Sequence, residues 1–386
     1  MEDHNNRAER LDHVVVILPS LHPDGALCRT VGGLLDVGFK NILLVDDGSG
    51  EEYAARFEEC VSLGNVTLLR HEVNRGKGAA LKTAFSYVLE SMPDITAAVT
   101  ADGDGQHLPE DVKKCVEACL DAGKCVLGVR DFSLPEVPAH NRRGNRITSF
   151  VFRLFCGIKC SDTQTGLRAF PREALKLLVK TKGDRYEYET QMLLDFKTYR
   201  VPFEEVTIHT VYLDDNKSSH FRVFKDSFRI YRMILAHFFK YSASSILSVL
   251  LETLVIFLIL GKTEADLSTN AVAFLIARGI SSFFNMNVNY FAVFRAKCSY
   301  PKAAARYYAL AIPVAAVTLG FNMLLKWGVK QLDFLPETVE RYSLTVINLI
   351  VQAIIFIFTF RMQQRWVYKT DRSRAYGAQN ADTEGK

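Results

Sequence analysis

The sequence predicts a doubly wound α/β domain with a mostly parallel sheet and helices on both faces, then an interfacial amphipathic helix, then an α-helical bundle of four membrane spans. Three observations predict it. Residues up to about Arg232 alternate short Val/Ile/Leu runs with helical stretches. From Tyr241 on, long uncharged runs dominate. Between the two, aromatic and basic residues recur at helical spacing.

In the first part, "HVVVIL" reads as a strand and Pro23 to Gly38 as a helix. "NILLVDD" is a second strand, followed by a helix near Glu51 to Leu63. "VTLLRH" is a third, followed by a helix from Lys77 to Glu90, and "ITAAVT" a fourth, followed by a helix from Pro109. Continuous apolar strands separated by helices argue a parallel sheet covered on both faces. Ligands of such sheets bind beyond the carboxyl ends of the strands. The loops there, "LPSLHPD", "VDDGSG", "HEVNRGKG" and "ADGDGQH", are all rich in Asp, Gly or basic residues.

The junction reads "HFRVFKDSFRIYRMILAHFF". Phe221, Phe224, Phe228, Tyr231 and Leu235 recur at helical spacing, with Arg222, Lys225, Arg229 and Arg232 on the other side or its flanks. A basic amphipathic helix leading straight into an apolar run is read as an interfacial element.

Four apolar segments follow. Tyr241–Leu260 carries only Glu252, and Ala271–Phe294 only Arg278. Tyr307–Leu325 is uncharged and contains Pro313, and Ser343–Phe360 is uncharged throughout. Each is near the roughly 20 residues that span a bilayer. The loop after the second span carries Arg295, Lys297, Lys302 and Arg306 without an acid, and the tail after Phe360 is also basic. The other two loops balance Lys and Arg with Asp and Glu, so both termini and the α/β domain are expected in the cytoplasm. Asn285 and Asn289 share a helix face and read as interhelical hydrogen-bond partners, with Glu252 and Arg278 as a pair. The predicted domains are a polar tail (1–10), the α/β domain (11–220), the interfacial helix (221–237), the membrane domain (238–366) and a polar tail (367–386).

Composition narrows the function. A formal net charge of +4 on 386 residues is too weak to imply nucleic acid. The head "MEDHNNRAE" lacks the apolar core of a signal peptide. Eight cysteines lie scattered without zinc-ligand spacing and read as buried reduced thiols.

The chemistry sits in "ADGDGQHLPED", where Asp102, Asp104 and Gln106 leave one short loop. Oxygen donors of this kind suit Mg²⁺ or Mn²⁺, which complete their shell with waters and substrate phosphates. Such a cation neutralises a diphosphate leaving group.

"ILPSLHPD", "LLVDDGSG", "NRGKGAALKTAF", "ADGDGQHLPED", "GVRDF", "RRGNRITS" and "DTQTGLRAF" occur in that order over residues 11–232. This run resembles the family 2 glycosyltransferases of the GT-A fold, of the dolichol-phosphate mannose synthase and bactoprenol-phosphate glucosyltransferase type. The last part, with "ARGISSFFNMNVNYFAVF", resembles the four-span GtrA-like domain. The resemblance implies that Asp104 and Gln106 bind the metal, with Asp102 beside them at the donor diphosphate. It implies that Asp47 touches the nucleoside, that Pro19 lines its pocket, and that Arg75 and Lys77 lie near the donor. Asp46 is assigned to supporting the turn. In the first loop Leu21 stands where relatives carry an aromatic, and Pro23 where they carry an acid, with Asp24 one place later; Leu21 and Asp24 complete the donor set. Lys217, Ser219, His220 and Arg222 fall in a loop that in related enzymes closes over the donor.

Arg130, Arg142, Arg143 and Arg146 offer guanidinium forks for an anionic acceptor. With membrane spans present, a polyprenyl phosphate fits that anion. A phosphate monoester is largely ionised near pH 7, so it needs no protein general base, and none is evident. The catalytic residues are then Asp104, Arg130 and Arg143. The expected function is inverting transfer of a hexose from a nucleotide-sugar to a polyprenyl phosphate at the bilayer. UDP-glucose, GDP-mannose and UDP-N-acetylhexosamines all remain open as donors, no nucleic acid is involved, and a homo-oligomer is compatible. A processive polysaccharide synthase would carry Gln-x-x-Arg-Trp before later spans; "QQRW" (Gln363 to Trp366) is one residue short and follows the last span. The alternative of another class is a lipid-linked sugar transporter, with the first half as a regulatory or donor-binding module.

Overall fold

The computed structural model describes residues 10–135, 137, 139–209, 223–260, 267–296, 298–330 and 337–369. The expected loop with Lys217, Ser219, His220 and Arg222 lies outside them. The chain divides into two compact units, the first ending at Ile234 and the second running from Leu235 to Arg374.

The first unit is built on one seven-stranded sheet in the order β3-β2-β1-β4-β6-β5-β7. Its strands are β1 (Val14–Ser20), β2 (Asn41–Asp46), β3 (Val66–Arg70), β4 (Ala97–Thr100), β5 (Cys125–Arg130), β6 (Arg168–Pro171) and β7 (Phe203–Ile208). The helices are α1 (Gly25–Asp36), α2 (Ala54–Val61), α3 (Lys77–Ser91), α4 (Pro109–Ala122), α5 (Ala139–Val151), α6 (Arg172–Leu178) and α7 (Glu187–Tyr199). The four strand–helix repeats expected up to Pro109 are all present. β1, β2, β3 and β4 pair in parallel, as do β5 and β7, whereas β6 runs antiparallel to both its neighbours.

Alternation along β1 explains the two cores. Val15 and Ile17 pack with Leu81, Phe85, Phe170, Tyr188 and Phe196 on one face. Val14, Val16 and Leu18 pack with Leu27, Val31, Phe57, Val112 and Val116 on the other. Period-two side chains on a strand buried on both faces require this split, and it leaves polar groups only at strand ends.

One expectation changes. Cys28 on α1 and Cys60 on α2 form a disulfide, because the two helices bring their Cα atoms to 4.9 Å. A separation of 32 residues gave no sign of that pairing. The six other cysteines are buried. Burial pushes the Cys115, Cys119 and Cys160 thiols up to about 12, which keeps them protonated and unreactive. The amphipathic helix leads straight into the first apolar run, as the sequence indicated: α8 runs unbroken from Val223 to Leu260. No Pro or Gly lies in that stretch to stop it. In its first turns Ile230 and Ile234 are buried in the α/β core, and the Tyr231 hydroxyl pairs with Thr148 Oγ1 at 3.1 Å. Phe228, by contrast, is exposed.

The second unit holds the rest of α8 with α9 (Leu267–Val288), α10 (Tyr300–Lys330) and α11 (Glu337–Met362). Among the described residues, three segments are long and apolar enough to cross a membrane: Phe238–Leu260, Tyr300–Leu325 and Thr345–Val367. The second expected span is helical but is not among them, and it carries Arg278, Asn285, Asn287 and Asn289. Polar side chains tie this unit together. Arg278 meets Glu252 at 3.0 Å. Asn285 Nδ2 donates to Ser248 Oγ at 3.0 Å, and its Oδ1 accepts from Tyr307 at 3.1 Å. Asn289 donates to Asn285 Oδ1 and to Gln363 Oε1. Both asparagines thus bond between helices, as their shared face indicated. Gln363 of "QQRW" is buried in this network, while Trp366 is partly exposed.

The loops above the sheet pack on one another, and Gly48 shows how closely. Its φ is +76°, and a Cβ there would fall 2.4 Å from the Val73 carbonyl carbon and 2.5 Å from Asn74 N. Gly48→Ala should therefore lower the melting temperature by several degrees, since a forced positive φ costs about 1 kcal/mol or more and each kcal/mol is worth about 2–4 °C in a domain of this size. Thermal unfolding followed by circular dichroism checks it; an unchanged melting temperature would mean that the two loops are not held together.

Candidate active site

The loop after β4 ends an apolar strand whose four residues are all buried. Asp102 opens it. Its backbone N–H donates to His107 Nδ1 at 3.1 Å, which makes Nδ1 the acceptor nitrogen of that ring. Burial, opposed by the neighbouring carboxylates, pushes the His107 imidazole below its ordinary value. Asp104 Oδ1 accepts the Gln106 N–H at 3.0 Å, so the two residues close a tight Asx turn. Gly166, in "DTQTGLRAF", lies against the Asp102 carboxylate: a Cβ there would sit 2.5 Å from Oδ2.

Lys77, the first residue of α3, joins this loop to the start of α7. Its Nζ lies 2.7 Å from Asp102 Oδ1 and 2.8 Å from Glu189 Oε1. Burial on its own would raise the Asp102 carboxyl; Lys77, with His107 and Arg130, outweighs that and holds it down to about 2. Asp104 moves the other way, raised by burial and by the charge of Asp102. Burial on its own would lower the Lys77 ammonium, but the two carboxylates raise it above its usual range.

Arg130, at the end of β5, is bound by a fork. Its Nε lies 2.6 Å from Asp162 Oδ2 and its guanidinium also reaches Oδ1 at 3.1 Å. Asp162 is fully buried. The guanidinium lies over the Phe132 ring and is near enough to Asp102 to lower its carboxyl. Arg142 turns inward and donates to the Leu134 and Val137 carbonyls, pinning the turn before α5. Arg143 and Arg146 are exposed on α5. That helix is tied to the Asp162 segment through Asn145 and Ser149, which both donate to Ser161 O.

The donor-side expectations fall as follows. Pro19 ends β1, paired with Val45 of β2, and Leu21 follows half-buried. Asp24 caps α1, accepting from Ala26 N at 2.7 Å. His22 stacks on Tyr53 with ring centroids 4.9 Å apart, an aromatic surface in the loop that lacks the usual aromatic residue. Asp46 accepts from Ser49 N and supports the turn. Asp47 is buried, with Oδ1 taking Arg75 N–H at 3.0 Å and His71 Nδ1 at 2.7 Å, and Oδ2 taking Gly76 N–H at 2.7 Å. Its carboxylate joins the β2 loop to the Gly-rich loop. The Arg75 side chain is exposed and lines a cavity of about 520 Å³ with Lys82, Thr83 and Asp184; none of Asp102, Asp104 and Arg130 lines it.

Sequence reasoning missed Glu189, Asp162 and His71. Asp162 lay in a quoted motif but was given no role. Glu189 and His71 had only their residue type to mark them, since their partners are far away in sequence.

Residues 15–178 match the family model for Glycosyl transferase family 2. An uncharacterised protein of Methanocaldococcus jannaschii is 33% identical over 233 residues, covering 59% of this chain and 93% of that one. The chain belongs to glycosyl transferase family 2. Its sheet, with the antiparallel β6 set between β4 and β5, is the GT-A arrangement. Among relatives of this family 2 member, the UDP-N-acetylglucosamine–dolichyl-phosphate N-acetylglucosaminyltransferase of Methanococcus voltae is 31% identical over 219 residues, 52% of this chain and 86% of that protein. The undecaprenyl-phosphate mannosyltransferase of Micrococcus luteus is 28% identical over 200 residues, 49% and 78% of the two chains.

The Asp102 shift has a testable consequence. Its folded value lies below the unfolded value of about 3.9, so the stability it adds is present above about pH 4 and is lost as pH falls through about 2. The melting-temperature gap between wild type and Asp102→Asn, both without added metal, should therefore shrink from pH 4 to pH 2. A gap that stays constant over that window would contradict the ion pair with Lys77.

Proposed function

We propose that this protein is a membrane-bound, inverting glycosyltransferase that moves a hexose from a nucleotide-sugar to a polyprenyl phosphate. Two named relatives act on lipid phosphates, one dolichyl and one undecaprenyl, and they match 52% and 49% of the chain. The observation that carries the reading is the state of the carboxylates. Lys77 holds Asp102 and Glu189, Arg130 holds Asp162, and loop amides with His71 hold Asp47. The remaining acid of the loop, Asp104, belongs to the cation pair. No carboxylate among these is left to deprotonate an alcohol, and a phosphate acceptor needs none.

Mg²⁺ or Mn²⁺ fits the Asp102–Asp104 loop. Asp104 is raised by burial and then by the charge of Asp102, so a cation between the two acids would relieve both, and their oxygens suit a hard ion. Among the described residues no three His, Cys, Asp or Glu side chains gather as a ready-made metal cluster, which leaves ligand positions to the diphosphate and water. Asp102, Asp104 and Gln106 would hold the cation, and it would supply Lewis-acid neutralisation of the departing nucleoside diphosphate.

The chain's own residues do the rest. Gly76 N–H and Arg75 N–H, fixed on Asp47, hold the Gly-rich loop beside the donor. Arg130, fixed by Asp162, and Arg143 on α5 bind the acceptor phosphate. An acceptor oxygen attacks the anomeric carbon, the bond to the donor phosphate breaks, and one displacement inverts the centre. Catalysis is then positioning and electrostatics. The apolar segments, with the second expected span as a fourth crossing, keep the enzyme at the bilayer where its acceptor is, with the α/β domain and both termini on the cytoplasmic side.

Kinetics separate the two halves of the site. Asp104→Ala, and wild type with EDTA, should lose about 10²–10³-fold in turnover. Arg143→Ala should instead raise the apparent KM for the lipid phosphate, with donor affinity unchanged, and Arg143→Lys should not restore it because the fork is gone. Near-normal turnover of Asp104→Ala, or unaltered acceptor kinetics in Arg143→Ala, would refute the assignments.

A further inference from the structure

We propose that Lys77 is an exchangeable stand-in for the divalent cation. Its ammonium neutralises Asp102 while no metal is bound, and it turns to the donor diphosphate once a metal takes that carboxylate. The inference rests on the reading of Asp102 and Asp104 as the cation pair.

The geometry points to exchange rather than to a permanent tie. Lys77 touches two carboxylates of different surroundings. Asp102 sits in the loop after β4 with its side chain one-third exposed (32%), whereas Glu189 on α7 is nearly covered at 10%. The exposed partner is the one that a solvated cation reaches. The covered partner lies in the first turn of a helix, where the backbone amides favour its charge, so it keeps the lysine.

The backbone under Lys77 does not move in this exchange. Gly76 N–H is bonded to Asp47, and Ala79 N–H to the Asp184 carbonyl. Only the four-carbon stem swings, carrying a compact charge with three donors. Arg130 cannot swing in the same way, because its Nε and Nη2 are bonded to the fully buried Asp162 and leave only its outer edge for a ligand.

Charge counting agrees. Asp102, Asp104 and Glu189 carry three negative charges against the one of Lys77, which leaves a deficit of the size of one divalent cation. A divalent cation and an ammonium on the same Asp102 carboxylate repel each other, so metal entry displaces the lysine from it. The displaced group sits at the first residue of α3, beside the backbone amides of the Gly-rich loop. It meets an incoming diphosphate there while still held by Glu189. An empty site is thereby kept closed as an ion pair, and the metal that opens it also releases a donor for the diphosphate.

The test is a Mn²⁺ titration of the full-length protein in detergent, followed by electron paramagnetic resonance, without nucleotide. Lys77→Met and Lys77→Gln should bind Mn²⁺ about tenfold more tightly than wild type, the scale of one charge-assisted contact. The same tightening should appear when Lys77→Met is added to Glu189→Gln, which rules out capture of the ion by a bared Glu189. Calorimetry of the Mn²⁺-saturated proteins with UDP and with GDP should show the opposite sign, at least about tenfold weaker binding than wild type for the nucleotide that wild type takes. A lysine with a structural role alone would not move the two affinities in opposite directions.

Unchanged or weaker Mn²⁺ binding in the Lys77 variants would overturn the proposal, as would loss of the tightening in the Glu189→Gln background. Failure of both variants to fold, judged by circular dichroism, would show that Lys77 is a fixed structural tie and would overturn it as well. Wild type that binds no Mn²⁺ even with UDP or GDP would remove the cation pair itself, a failure distinct from that of the exchange.

Discussion

Negative charge crowded at one edge of a parallel sheet is the constraint on which the rest of this structure depends. Asp47, Asp102, Asp162 and Glu189 lie in the loops and helix beside a sheet whose central strands, β1 and β4, are almost wholly buried. Unpaired, such groups would be too costly to keep there. Each is instead met by a donor from a distant segment: Asp47 by the Gly-rich loop, Asp102 and Glu189 by Lys77, and Asp162 by Arg130. These pairings fix the loops relative to one another. They also explain the small residues there, since Gly48 and Gly166 sit where any side chain would strike a neighbouring loop or a carboxylate.

Much of this was legible in the sequence, and the residues show where legibility stopped. The strands β1 to β4 are continuous apolar runs with helices between them, and period alone places them. The Asp102 to Gln106 loop is likewise visible because its polar residues are two positions apart. β5, β6 and β7 were not assigned, and β6 shows why: it begins with the buried Arg168, whose Nε and Nη1 donate to the Thr165 and Glu189 carbonyls, so the strand lacks an apolar signature. The partners Glu189, Asp162 and His71 were hidden for a related reason. A carboxylate 112 positions from its lysine leaves no local pattern. The Cys28–Cys60 disulfide has the same character.

Asp47 and Asp24 show a subtler gap between motif and site. A motif reports that an acid belongs in a loop, but not whether it faces the ligand or the backbone. Here Asp47 has both oxygens on its own protein and Asp24 caps a helix. Their contribution to donor binding would come through the loops they hold. In the second unit the logic is reversed: Asn285, Asn289 and Gln363 are polar groups in an apolar setting, and hydrogen bonding to one another is what makes them tolerable there.

The central claim is that the acceptor supplies its own nucleophile, so that a crowded set of paired acids needs no free base. The most direct measurement is transfer by the purified protein in detergent with Mg²⁺ or Mn²⁺. A polyprenyl phosphate is offered beside the same polyprenol without its phosphate, against UDP-glucose, GDP-mannose and UDP-N-acetylglucosamine, with products identified by mass spectrometry. The account predicts a glycosylated lipid phosphate from at least one donor and no product from the alcohol. Comparable transfer to the free polyprenol would contradict it.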